Sequence, residues 1–171
     1  MEFQKVHGAE GRQDGVYRIG RRKWEVIFGY GEDELGGYNL RAQTREKPTR
    51  EELQKLLTDT VNAAVAEKIL RGMTWEGRQV WLSQENQMNY RTAYDRAVRT
   101  DGASLPMTVK LGGEYEPEYV ELKTLEEAQE FCDAVAAHID GCIKDGWKEK
   151  DVNVREMLDN MEKEETTDEG E

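Results

Sequence analysis

Cys132, His138 and Cys142 are the only soft metal ligands that fall near one another in this sequence. Thiolate and imidazole are the groups a zinc ion takes, four of them in a closed structural site. On a helix His138 and Cys142, at i and i+4, share a face, whereas Cys132 points in a different direction. No other cysteine exists to complete the set. The three therefore read as members of a helix, with the cysteines as small apolar core residues, and no metal is expected. Nor can the thiols pair. Ten residues of intact helix would separate them by about 15 Å, and a disulfide spans only about 4.4–6.8 Å.

The other reactive types fare no better. His7 lies in a polar start and has no recognisable partner. Neither a G-x-S-x-G elbow nor a cysteine-protease signature is present to build a triad. With 36 acidic residues, any two carboxylates could act as acid and base, but nothing singles out a pair. Gly29-Tyr30-Gly31 follows a strand pattern, as a dinucleotide loop would. Glu34 stands where the third glycine belongs, and Glu32-Asp33-Glu34 would repel a pyrophosphate. The same acids lack the spacing and central glycine of a calcium loop. Catalytic residues, cofactor and enzymatic activity are accordingly not expected.

Two surface possibilities remain. Arg18, Arg21, Arg22 and Lys23 cluster beside Trp24. In a chain of net charge −12 they read as a solvated turn that blunts edge pairing, and nucleic-acid binding is disfavoured. Trp75, Trp81, Tyr90, Tyr94 and Trp147 could form a sugar platform or a protein interface. At strand and helix spacing, packing into a core is the expected use. If any ring is exposed, Trp24, Phe28, Trp75 and Trp81 are the candidate partner contacts.

The elements that must position these groups follow from periodicity. Residues 1–15, with Gly8, Gly11 and Gly15, read as a flexible lead-in. Val16–Ile19 and Trp24–Tyr30 suggest a hairpin, with Trp24, Val26, Phe28 and Tyr30 on one face. Residues 29–37 read as a loop, and Tyr38, Leu40 and Ala42 as a weak edge strand. Thr49 and Glu52 form a capping box that opens a helix to about Leu70. Its stripe is Leu53, Leu56, Leu57, Val61, Ala64, Val65 and Ile69, and Gly72 ends it. Met73–Trp75 and Arg78–Trp81 pair around Glu76-Gly77. Ser83 caps a helix from Gln84 to about Arg99, with Tyr90, Tyr94, Ala97 and Val98 inward, and Asp101-Gly102 stops it. Strands through Met107, Val109 and Leu111 and through Val120 and Leu122 follow. A second capping box, Thr124 with Glu127, starts the longest helix. Its stripe is Ala128, Phe131, Cys132, Val135, Ile139 and Ile143, and Gly146 should terminate it. A short helix through Val154, Met157, Leu158 and Met161 precedes an acidic stretch, which should be disordered beyond Glu162.

This describes an α+β protein: small antiparallel hairpins or a sheet packed against three main α-helices. A length of 171 residues suits one domain with small extensions. The organisation expected is a lead-in at 1–15, a β extension at 16–48, an α+β domain at 49–150, and a short helix with an acidic tail at 151–171. Residues 149–171 hold ten acidic and three basic side chains, leaving −5 on residues 1–148. That balance argues against a general affinity for phosphate backbones. Met1-Glu2-Phe3-Gln4-Lys5 has no apolar signal region, and no run approaches the roughly 18 apolar residues of a membrane span. Free thiols suit a reducing cytoplasm.

A resemblance adds what residue chemistry alone does not supply. From about Thr49 to Lys150 the landmarks are Glu67-Lys68-Ile69, Gly72-Met73-Thr74-Trp75 with Gly77, and Asn86-Gln87-Met88-Asn89-Tyr90. They continue with Val109, Val120-Glu121-Leu122 and Gly146-Trp147-Lys148-Glu149-Lys150. In order and spacing this resembles the phage-associated family known as domain of unknown function 4376, found in tail-fibre and tail-assembly proteins of phages and prophages. Residues 16–42 lie outside the match, and the long shaft of a tail fibre is missing. The resemblance implies a non-enzymatic structural or accessory protein of tail or tail-fibre assembly that docks on another phage protein. It places the protein in the bacterial host cytoplasm during assembly, or in the virion, with no membrane partner. The family has no established catalytic residues to carry over. A glycan-binding module using exposed tryptophans is the alternative, followed by an enzyme of unfamiliar type.

Overall fold

The computed structural model describes residues 1–113 and 116–168, with 162–168 as backbone. The fold is α+β, with antiparallel sheets throughout. Contacts divide it into two compact units, residues 1–62 with 147–171 and residues 63–146. The expected boundaries at 48/49 and 150/151 are replaced by ones that fall within the first and third long helices.

The first unit holds a four-stranded sheet. Its strands are β1 (Gln4–His7), β2 (Gly15–Gly20), β3 (Lys23–Asp33) and β4 (Gly36–Thr44), in the order β1-β4-β3-β2. Val26 lies opposite Ala42 and Phe28 opposite Leu40. Val26, Ile27, Phe28 and Ala42 are buried. Three expectations change here. β4 is an interior strand, not an edge. Residues 29–37 are mostly strand, because a bulge between Phe28 and Gly31 resets the register and β3 runs on to Asp33. The glycines that suggest a loop serve positive φ or close approach within the sheet instead. Gly29 takes the positive φ of the bulge, +68°, and a Cβ on Gly31 would lie 2.6 Å from the Tyr38 ring.

Nor is the start a flexible lead-in. β1 pairs with β4, and Phe3 packs 6.3 Å from Phe28. The amides of Gly8 and Ala9 donate to the Gly37 carbonyl. Asp14 accepts from the Gly29 amide at 2.7 Å. Fully buried Asn39 donates to the carbonyls of Gly29 and Gly11. Arg12 pairs with Asp14 and Glu149 and lies over the Phe28 ring.

Helix α1 (Arg50–Arg71) opens with the expected box: the Glu52 amide donates to Thr49 Oγ1, and the Thr49 amide donates to Glu52. Leu53, Leu57 and Val61 are its buried residues.

In the second unit β5 (Met73–Trp75) and β6 (Arg78–Val80) pair across Glu76 and Gly77, both with positive φ as a two-residue type I′ turn requires. Helix α2 (Gln84–Arg99) begins at Ser83, whose side chain accepts from the Asn86 amide. β7 (Met107–Gly112) pairs with β8 (Pro117–Leu122). Thr124 and Glu127 exchange bonds at the start of α3 (Leu125–Glu149). The core comprises Val80, Leu82, Tyr90, Met107, Val109, Leu111, Leu122, Ala128, Phe131 and Val135. The Trp75 and Tyr90 rings meet Phe131 edge-on, at 5.5 and 5.1 Å. Val98, expected inward, is half exposed. At about 100° per residue it lies roughly 80° round α2 from Tyr90, beyond the buried stripe.

Gly146 does not end α3. It is buried within the helix, which runs to Glu149 and continues through a π-helical turn, Lys150–Val154, into α4 (Arg155–Asp168). Val154, Met157, Leu158 and Met161 are buried in the first unit, and Arg50 donates to the Leu158 carbonyl at 3.0 Å. These contacts give the chain reason to stay helical past the glycine. The disorder expected beyond Glu162 gives way to helical backbone as far as Asp168. The rest of that expectation, at 169–171, lies outside the described residues.

Candidate functional site

The second unit carries an open groove of about 530 Å³ between α2 and α3. Its apolar members include Met88 and Tyr94 from α2 and Val135, Ala136 and Ile139 from α3, with Gln87 and Arg91 among the polar ones. The cause is visible in helix geometry. Taking Tyr90 and Val135 as the inward residues, Tyr94 and Ile139 both lie about 40° to one side, and Arg91 and Ala136 about 100°. Each helix thus carries apolar surface wider than the strip its core contact covers. Met88 is 69% exposed. The signal in the sequence was the width of the stripe, which alone does not tell a second buried contact from a groove.

Cys132 lines the groove, apart from the other soft ligands. Burial, followed by the charges of Asp133 and Asp95, pushes its thiol up to about 11. A thiol so held is a poor nucleophile near neutrality. Iodoacetamide should accordingly label Cys132 slowly at pH 8, with the rate rising until about pH 11, as followed by peptide mass spectrometry; rapid labelling at pH 8 would contradict this. His138 and Cys142 do meet, at 3.7 Å, as their spacing suggests. Among the described residues no group of three or more His, Cys, Asp or Glu is placed to hold a metal ion.

His7 has a partner that the sequence concealed. Pairing of β1 with β4 sets His7 opposite Tyr38, and the long hairpin brings Asp33 to 2.9 Å from His7 Nε2. Lys5 lies 3.3 Å from the same carboxylate and over the Tyr38 ring. Burial would raise the Asp33 carboxyl. The Leu35 amide, His7 and Lys5 outweigh it and hold that carboxyl below its ordinary value. Among the described residues no serine or cysteine is bonded to this cluster, so the pair lacks the nucleophile of a triad.

The four candidate contact rings are covered to different degrees. Phe28 is 3% exposed, with the Phe3 ring and the Arg12 guanidinium against it, which removes it as a partner contact. Trp24 is half-buried, with the Lys47 ammonium 6.0 Å above its ring. Trp75 is half-buried against the core and engaged by Phe131. Only Trp81 is well exposed, and Trp147, expected in a core, is exposed as well. A sugar platform built on Trp75 is therefore weakened.

The fold and groove define a class, an α+β chain with an accessible apolar cleft. Comparison with protein-family models, with curated proteins and with solved structures found no match. Among the described residues no helix is long and apolar enough to cross a membrane.

Proposed function

We propose that the chain is a non-enzymatic docking protein of a phage or prophage, working in tail or tail-fibre assembly within a bacterial host. The observation that carries the docking role is the groove between α2 and α3, whose volume lies within the range of natural ligand clefts, about 300–1,000 Å³. Its apolar lining offers burial worth about 1.5–3 kcal/mol for each large side chain it accepts. Cys132, the thiol that lines the groove, is held protonated near neutrality, which suits docking there better than nucleophilic catalysis. The phage setting comes from the resemblance in the order of elements between Thr49 and Lys150, and the occupant proposed is an apolar segment of the tail-fibre polypeptide of the same phage.

The test is titration of that purified polypeptide into the full-length chain by calorimetry. Met88→Asp combined with Ala136→Asp places two charges in the groove at exposed positions, so the fold should persist. The double variant should bind at least about tenfold more weakly, a loss of about 1.4 kcal/mol. Equal affinity of the variant, or no complex with the unaltered chain, would remove the reading.

A further inference from the structure

On the first unit, we propose that the free edge of β2 is a docking site for an acidic, extended protein segment, which would add to the four-stranded sheet as a fifth strand. β2 is terminal in the sheet and pairs only with β3. Among the described residues its outer side has no strand partner. A bulge between Arg18 and Gly20 leaves Gly15–Arg18 as the regular part of this edge. Tyr17 and Ile19 are each 44% exposed along it.

The charge around this edge names the occupant. Arg18, Arg21, Arg22 and Lys23 are all exposed. None of them makes an ion pair among the described residues. Arg18 donates only to the carbonyls of Gly20 and Arg21. Elsewhere several surface cations are matched, as Lys5, Arg12, Arg41, Lys55, Arg71 and Arg78 are. Four unmatched cations at one hairpin end stand out in a chain of net charge −12. Asp14, next to Gly15, is engaged by Arg12 and the Gly29 amide, and Glu25, opposite Tyr17, by Arg41 and Gln43. Acids beyond about 8 Å are screened at physiological salt, so the unmatched cations govern what binds.

The free edge favours a peptide over a nucleic acid. A strand edge presents both N–H and C=O groups, and a peptide backbone satisfies both. Phosphate oxygens can only accept. Successive side chains of an added strand point to opposite faces, so residues beside Tyr17 and beside Arg18 would differ in chemistry. Apolar residues alternating with glutamate fit both.

The experiment uses the full-length chain and a strand-length acetylated peptide alternating valine and glutamate, labelled for fluorescence anisotropy. Amide hydrogen exchange is read at Val16, Tyr17 and Arg18. Saturable binding is expected, with slowed exchange at whichever of these alternating amides face away from β3 and about tenfold weaker binding by the Arg21→Glu, Arg22→Glu double variant. A backbone N-methylated peptide of the same sequence should fail to bind, a control that needs no protein variant. The proposal is overturned by absence of saturable binding, by exchange unchanged at β2, by undiminished binding of the N-methylated peptide, or by an oligothymidine binding more tightly than the peptide. The groove variant on the second unit should bind this peptide normally, so the two proposals fail separately.

Discussion

Phe131→Ala is expected to lower the stability of the second unit by about 3–5 kcal/mol, the range for removing a fully buried ring. Phe131 has no exposed surface and sits in the middle of the core. Two aromatic rings, Trp75 and Tyr90, present their edges to it, and each such pair is worth about 0.5–1.5 kcal/mol beyond area burial. Collapse around the gap is resisted from both sides. Trp75 is held in a two-stranded ribbon, and the Tyr90 hydroxyl is tied to the Lys110 carbonyl at 3.0 Å. Urea unfolding followed by hydrogen exchange at Val109, Leu111 and Val135 would report the loss where it occurs. A cost below about 1 kcal/mol would mean that the core repacks without the ring.

Gly72→Ala should be comparably harmful, for a different reason. Gly72 joins α1 to β5 with φ at +73°. An L residue in that conformation costs about 1–2 kcal/mol by itself. Here the added Cβ would also overlap the Val80 carbonyl oxygen and lie 2.9 Å from its carbon and 3.2 Å from the Leu82 nitrogen. Those atoms are backbone, and the Leu82 amide is already bonded to the Leu70 carbonyl at 3.2 Å. The chain must move, and a total cost of at least about 3 kcal/mol is expected. Gly77→Ala is the control. Its φ is +79°, but no atom lies within 4 Å of its Cβ, so only the conformational cost of about 1–2 kcal/mol applies. Thermal unfolding of the two variants side by side separates strain from overlap. Equal losses would show that the close approach at Gly72 has no energetic weight.

Helix starts were the most legible part of the chain, because their signals are local. Thr49 with Glu52, Ser83 with Asn86, and Thr124 with Glu127 all bond within a few residues of one another. The alternation of Met107, Val109 and Leu111 likewise reports one buried face. The glycines misled wherever the reason for them was distant. Gly31 and Gly37 accommodate neighbours across the sheet, yet in sequence they look like loop residues. Gly146 looked like a helix stop, but residues beyond it gain burial by staying helical. Polar residues 1–15 looked unattached because their partners, Gly29, Gly37 and Asn39, lie many residues away.

The candidate surfaces divide in the same way. Helical spacing pointed to the His138–Cys142 contact, and the basic cluster at residues 18–23 was visible as charge. That β2 is a free edge beside that cluster depends on strand order, which composition does not encode. The groove between α2 and α3 depends on how far two apolar stripes overhang their shared core.

By itself, then, the sequence determined the kinds of element and where the helices begin, since capping and alternation are interactions over a few residues. The tertiary structure decided which strands are edges, where helices end, which rings are covered and where apolar surface is left open. Those outcomes are settled by contacts between residues far apart in the chain, each gaining stability only once its distant partner is in place.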